Sequence, residues 1–231
     1  MKALDYAAQI CYSSRAVLQF SYDMSVKYKY TPGVYVETGV AAGAQIIAFA
    51  AGAPNKTIYA FDSFCGLPLP SNRDDQMPGI MKLTPTEQKM LPDPGKQVLE
   101  TSGATSVSLD DFVDHLRKSI GVDSTSTHPY CTRINLSSGT ILMALTGWFE
   151  ITVPPMSLLL NEISILRLDG DLYNSTWVCL QHLFPKVIQG GCVIVDDWTL
   201  KGCQDACKEY FELIGYEPNY QYLDGTAYFF K

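Results

Sequence analysis

Short apolar runs, several of them followed directly by a carboxylate, alternate along this chain with segments of helical period. Residues 34–36, 57–61, 163–168 and 192–195 are rich in β-branched and aromatic residues and bounded by turn formers, which predicts buried strands. A closing strand follows at 226–230. Helices are predicted through Ile46, Ile47, Phe49 and Ala50, through Leu109, Phe112, Val113 and Leu116 behind a Ser108 cap, along Leu172, Thr176, Leu180, Leu183 and Phe184, and over 203–214. Residues 4–28 carry a broken apolar pattern that reads as one or two helices ahead of Thr31-Pro32-Gly33. Residues 121–155 read less regularly, with a strand near 132–134 and a helix over 140–145, and Gly190-Gly191 is expected to reset the chain before the strand at 192–195. The alternation predicts an α/β fold with a doubly wound, mostly parallel sheet. One domain over 1–231 is expected, with a helical extension at 1–30 and a lid or substrate loop at 63–103, a stretch longer than ordinary connections.

Composition changes this picture little but narrows the partners. Of the 231 residues, 47% are apolar and 18% charged, enough to bury a core and too few charges for disorder. A net charge of -7 is a poor match to a phosphate backbone, so no nucleic-acid partner is expected. The most apolar window, 40–53, is too short for a bilayer, so no membrane role is expected either. The N-terminal residues lack the apolar core of a signal peptide, and the seven cysteines form no Cys-x-x-Cys pair. A soluble, cytoplasmic protein with reduced thiols is the expectation, and homo-oligomerisation is left open.

Chemistry is sought where strands end, because open α/β sheets bind ligands beyond the carboxyl ends of their strands. Glu37, Asp62, Asp169, Asp171, Asp196 and Asp197 all follow predicted strands. Any one of them alone is as readily a cap or a loop residue. Together on one rim they repel each other unless cations or hydrogen-bond donors compensate, which points to a metal and a polar ligand. The turn Glu37-Thr38-Gly39-Val40-Ala41-Ala42-Gly43 lacks the full G-x-G-x-x-G spacing of a pyrophosphate site, while Asp62 is placed to accept ribose hydroxyls. A nucleoside ligand without a diphosphate is favoured. His115, His128 and His182 are scattered and read as surface or packing residues, and Arg73, Asp74 and Asp75 in the long loop read as solvated charges.

Four segments taken together carry a resemblance: Glu37 to Val40, Asp62-Ser63-Phe64-Cys65-Gly66-Leu67-Pro68, Leu166-Arg167-Leu168-Asp169-Gly170-Asp171-Leu172-Tyr173, and the strand ending in Asp196-Asp197. The chain resembles the macrocin O-methyltransferase family of class I S-adenosylmethionine-dependent methyltransferases over roughly residues 30 to 230. The resemblance implies a Rossmann-like sheet of seven strands and methyl transfer from S-adenosylmethionine to a sugar hydroxyl. It implies that Glu37, Thr38, Gly39, Val40, Ala41, Asp62, Ser63, Phe64 and Gly66 line the methyl donor. It further implies that Asp169, Asp196 and Asp197 bind magnesium, with manganese or calcium as substitutes, and that Asp169 is the base. Gly147-Trp148-Phe149 matches the family's pattern, whereas Ile151 stands where an acid is common and 121–146 departs from it. The acceptor is expected to be a small molecule or glycan: a glycan terminus, a nucleotide sugar or a glycosylated natural product. A catechol-like or other vicinal diol and, more remotely, a dinucleotide-dependent oxidoreductase remain as alternatives.

Overall fold

The computed structural model describes residues 2–77 and 81–231; residue 1 of the expected extension and residues 78–80 of the expected lid lie outside the described residues. The chain opens with a helical pair, α1 (Lys2–Ile10) and α2 (Arg15–Tyr28). Between them Ser14 caps α2, its Oγ accepting from the Val17 amide at 3.2 Å. Then come β1 (Val34–Thr38), α3 (Ala44–Gly52) and β2 (Thr57–Asp62). The long segment that follows holds β3 (Gln76–Met77), β4 (Met81–Lys82) and α4 (Pro85–Met90), the last closed by a Thr84/Glu87 capping box. Next are α5 (Leu109–Ser119), β5 (Val122–His128), β6 (Cys131–Leu136), β7 (Ile141–Thr146) and α6 (Phe149–Ser157). The chain ends with β8 (Ile163–Leu168), α7 (Tyr173–Leu183), β9 (Val187–Val195), α8 (Lys201–Leu213), β10 (Gln221–Leu223) and β11 (Thr226–Phe230).

Among the described residues nine strands form one sheet in the order β10-β11-β9-β8-β1-β2-β7-β6-β5. The five central strands run parallel, whereas β11 on β9, β10 on β11, β6 on β7 and β5 on β6 are antiparallel. This is the doubly wound, mostly parallel architecture expected, with two strands more than seven, because the β5–β6 hairpin extends the edge beyond β7. The helix expected over 140–145 is a strand. Leu, Met and Ala favour a helix there, but β7 fills the place between β2 and β6 and alternates Leu142 and Ala144 to one core with Leu145 to the other. Gly190-Gly191 likewise does not interrupt the chain. Both glycines lie within β9, where its pairing with β8 shifts register between Ile163 and Ile165.

Period-two alternation in the central strands divides the interior into two layers. Tyr35, Ile58, Ile165 and Ile194 face α1, α2, α3 and α5; Val36, Phe61, Leu166, Leu168, Val193 and Val195 face α6, α7 and α8. Cys203 and Cys207 are buried in the second layer, as packing residues should be, and all seven cysteines are free thiols. Among the described residues no helix is long and apolar enough to cross a membrane. The chain leaves β1 toward β2 on one side, while β8 fills the other side of β1. That reversal of direction opens a crevice at the carboxyl ends of β1 and β8.

Candidate active site

Backbone hydrogen bonds continue across the sheet one residue past the strands and draw their ends into one rim. The Gly39 amide donates to the Phe61 carbonyl at 2.8 Å, Asp169 to Thr38 at 2.9 Å, Asp196 to Leu168 at 2.9 Å and Gly147 to Asp62 at 2.9 Å. The crossing of β1 and β8 is so close that a Cβ at Gly39 would land on the Asp169 carbonyl, and Gly39 has φ +84°. Only glycine fits there.

The carboxylates at the strand ends therefore converge. One ligand oxygen from each of Asp169, Asp196 and Asp197 lies within 4.8 Å of the others. Asp171, held at φ 59°, donates its amide to Asp197 Oδ2 at 2.8 Å. Opposite them is Arg167, wholly buried inside β8. Its register partner is Glu37 of β1, and alternation points both side chains toward the helical-pair layer. The Arg167 Nε donates to Glu37 Oε1 at 3.2 Å, while Nη2 reaches Asp169 Oδ2 at 3.0 Å, Asp196 Oδ1 at 2.8 Å and Ser13 Oγ at 3.2 Å. Asp196 is further held by Ser13 Oγ on Oδ2 at 2.9 Å and by Thr226 Oγ1 on Oδ1 at 2.8 Å.

The electrostatics follow from burial and crowding. Burial pushes Glu37 up to about 8 although Arg167 opposes the shift. Asp171 is pushed up to about 7, again by burial first and then by Asp169 and Asp196. Burial and neighbouring acids raise Asp169 and Asp197 well above the usual carboxylate range. Asp196 differs: burial would raise it, but Arg167 and the hydroxyls of Thr226 and Ser13 bring it below its ordinary value. Three of these five acids, Glu37, Asp169 and Asp196, thus share one guanidinium, and among the described residues no ion pair reaches Asp171 or Asp197. An all-oxygen donor set with oxygens this far apart and this excess of negative charge fits a hard divalent cation.

The crevice widens into a cavity over the β1–α3 turn. Glu37, Gly39, Val40, Ala41, Asp62, Ser63, Gly66, Asp169, Asp196 and Asp197 line it. Asp62 organises the turn: Oδ2 accepts from the amides of Val40 at 2.8 Å and Ala41 at 2.9 Å, and Oδ1 from Phe64 at 2.7 Å. Three of roughly four acceptor positions on this carboxylate are spent on backbone, leaving room for one ligand hydroxyl. Two expected residues stand back from the cavity wall. Thr38 is buried, and Phe64 packs on Phe112 with ring centroids 5.4 Å apart.

Other walls come from segments beyond the residues expected to line the donor or bind the metal. Gly147, Trp148, Phe149 and Glu150 close one side, and Ile10 to Ser13, from the turn between the N-terminal helices, close another. Glu150 Oε1 is buried without a protein partner. The long segment is fastened beside the acidic rim by the charges expected to be solvated. Asp74 is 2% exposed and accepts from the Tyr173 amide at 2.7 Å, the Ser71 amide at 2.8 Å and Ser71 Oγ at 2.8 Å. Arg73 pairs with Glu209 and lies over the Tyr173 ring at 4.3 Å. Arg167 was detectable as the one charge inside an apolar strand run; Asp74 and Ser13 carry no such mark.

Comparison with known proteins bears on this geometry. Residues 132–231 match the family described as Macrocin-O-methyltransferase (TylF). The chain is 38% identical over 87 residues to the 8-demethyl-8-(2,3-dimethoxy-alpha-L-rhamnosyl)-tetracenomycin-C 4'-O-methyltransferase of Streptomyces olivaceus, covering 38% of this chain and 33% of the relative. It is 49% identical over 67 residues to the demethyldecarbamoylnovobiocin O-methyltransferase of Streptomyces niveus, covering 29% of this chain and 25% of the relative. The matched stretches thus span a third or less of these two relatives. The solved structure of the O-methyltransferase NovP is similar with a TM-score of 0.65 at 28% identity, over 93% of this chain and 79% of that one. The fold is that of the class I, Rossmann-like methyltransferases.

Proposed function

We propose that this chain, a member of the macrocin-O-methyltransferase family over residues 132–231, transfers a methyl group from S-adenosylmethionine to a sugar hydroxyl with Asp169 as the proton acceptor. The observation that carries the reading is the convergence of Asp169, Asp196 and Asp197 beside a cavity formed by the β1–α3 turn and Asp62. The names of relatives that act on a rhamnosyl tetracenomycin and on a novobiocin precursor support a glycosylated natural product as the acceptor class.

The residues supply distinct parts of the chemistry. The turn from Glu37 to Ala41 and Asp62 would hold the donor, and the acidic rim favours its sulfonium charge over the neutral product. Asp169 has one oxygen pinned by Arg167 at 3.0 Å, which leaves Oδ1 to meet the acceptor. In the cation-free site burial and neighbouring acids raise its carboxyl above the usual range, so it holds a proton more tightly than a free carboxylate. As the hydroxyl proton passes to Asp169, the oxygen forms its bond to the methyl carbon, and the S–CH3 pair returns to sulfur to leave S-adenosylhomocysteine. Asp169, Asp196 and Asp197 would hold a divalent cation, which supplies Lewis acidity that lowers the pKa of the acceptor hydroxyl. The remaining contribution is geometric, because two bound partners in line react far faster than two in solution.

The test is an acceptor screen with methyl-labelled S-adenosylmethionine across rhamnosides, nucleotide sugars, glycosylated polyketides and catechols, each with magnesium and with a chelator. Label in a sugar hydroxyl that is lost on chelation is the expected result. Label only in catechols would move the acceptor class, and transfer undiminished by chelator would remove the cation from the reading.

A further inference from the structure

We infer that Ser13, on the turn between the two N-terminal helices, is a positioning residue of the acidic centre: it directs the Asp196 oxygen that is left to bind the divalent cation. The inference rests on the proposed cation site and adds to it a residue 183 positions away in the chain. A carboxylate offers about two acceptor directions on each oxygen. On Asp196, Oδ1 already receives Arg167 Nη2 at 2.8 Å and Thr226 Oγ1 at 2.8 Å, whereas Oδ2 receives only Ser13 Oγ at 2.9 Å. The one direction still open is therefore on Oδ2, the oxygen that Ser13 grips.

The direction of the Ser13 hydroxyl is itself determined. Arg167 Nη2 donates to Ser13 Oγ at 3.2 Å, and a guanidinium cannot accept, so the single hydroxyl proton is free to point only at Asp196. The turn is held from both sides independently of that contact. Ser14 Oγ caps α2 through Val17 and donates to Asp224 Oδ2 at 2.9 Å, and Gln45 Nε2 contacts Cys11 Sγ at 3.6 Å. Ser13 thus reaches Asp196 from a fixed platform, and the helical pair is part of the active centre. A hydrogen-bond partner behind a ligating carboxylate typically matters 10- to 100-fold in metal affinity, by about that order.

The experiment is a manganese titration of the chelator-stripped protein, read by electron paramagnetic resonance with no acceptor or methyl donor present. Thermal melting of every variant checks that it is folded. Ser13→Ala is expected to weaken manganese binding by about tenfold or more, and Ser13→Thr, which keeps a hydroxyl, to recover most of it. Arg15→Ala, which removes an exposed ion pair with Asp5 beside the same turn without touching Asp196 or Ser13, should bind like the wild type. Unchanged affinity in Ser13→Ala, or an equal loss in Arg15→Ala, overturns the assignment while leaving the cation site standing. Absence of manganese binding by the wild type removes the cation site and this inference together.

Discussion

Replacing Asp74 by alanine should release the long segment from the rim of the site without unfolding the protein. The carboxylate is 2% exposed and receives three donors: two backbone amides, Ser71 and Tyr173, and the Ser71 hydroxyl. The hydroxyl can rotate to another partner, but the two amides cannot. Each buried amide left without a partner costs about 1–3 kcal/mol, so the two together cost about 2–6 kcal/mol. Against this stands relief from burying Asp74 itself, whose carboxyl is pushed up by burial. A net loss of about 2–3 kcal/mol is expected, which multiplies the open population of the segment by about 30- to 150-fold. Arg73 does not rescue the loss, because in its ion pair with Glu209 the side chains are 32% and 44% exposed and such pairs contribute less than about 1 kcal/mol. Hydrogen exchange of residues 67–100 reads the change directly: faster exchange there, with protection of β1, β8 and β9 retained. Asp74→Asn, which keeps one acceptor oxygen, should fall between. Exchange of the segment unchanged in Asp74→Ala would refute the reasoning, since the anchor would then lie elsewhere.

Asp169→Asn should lower methyl transfer by at least about a hundredfold while the melting temperature stays close to the wild type, because the amide cannot take the proton; full turnover in that variant excludes Asp169 as the base. Asp62→Ala frees the amides of Val40, Ala41 and Phe64 and should weaken S-adenosylhomocysteine binding in calorimetry by about tenfold or more; unaltered affinity would mean that the turn holds its shape without Asp62. The metal-free protein should lose stability between pH 5 and 8. Glu37 has a folded value of about 8 against an ordinary 4.5, so over that window the native state retains a proton that the unfolded chain has released. Stability then falls with rising pH by up to about 1.4 kcal/mol per unit for such a group. Denaturation midpoints at several pH values should show a shallower slope in Glu37→Gln, and an identical slope would place the titration elsewhere.

Much of this architecture was written in local pattern. A strand buried on both faces must be apolar throughout, so β1, β2, β8 and the end of β9 stood out, and α7 and α8 followed from helical stripes. The carboxylates after those strands were legible for the same reason, since strand ends in an open sheet define where a ligand can sit. Where local preference and tertiary demand diverged, the tertiary structure decided. Residues 141–146 have helix-forming side chains but lie between β2 and β6, and pairing on both edges outweighs a propensity worth a few tenths of a kcal/mol per residue, roughly.

What the sequence by itself determined is the set of acids and the sheet that presents them. What only the tertiary structure decided is which donors hold each acid. Arg167 meets Glu37 through strand register, Ser13 meets Asp196 across 183 residues, and Asp74 meets the Tyr173 amide across 99. A serine in a turn or an aspartate in a polar loop has no periodicity to mark it. Its role comes from packing that brings distant segments within hydrogen-bonding distance, where a buried carboxylate must find donors or lose its charge.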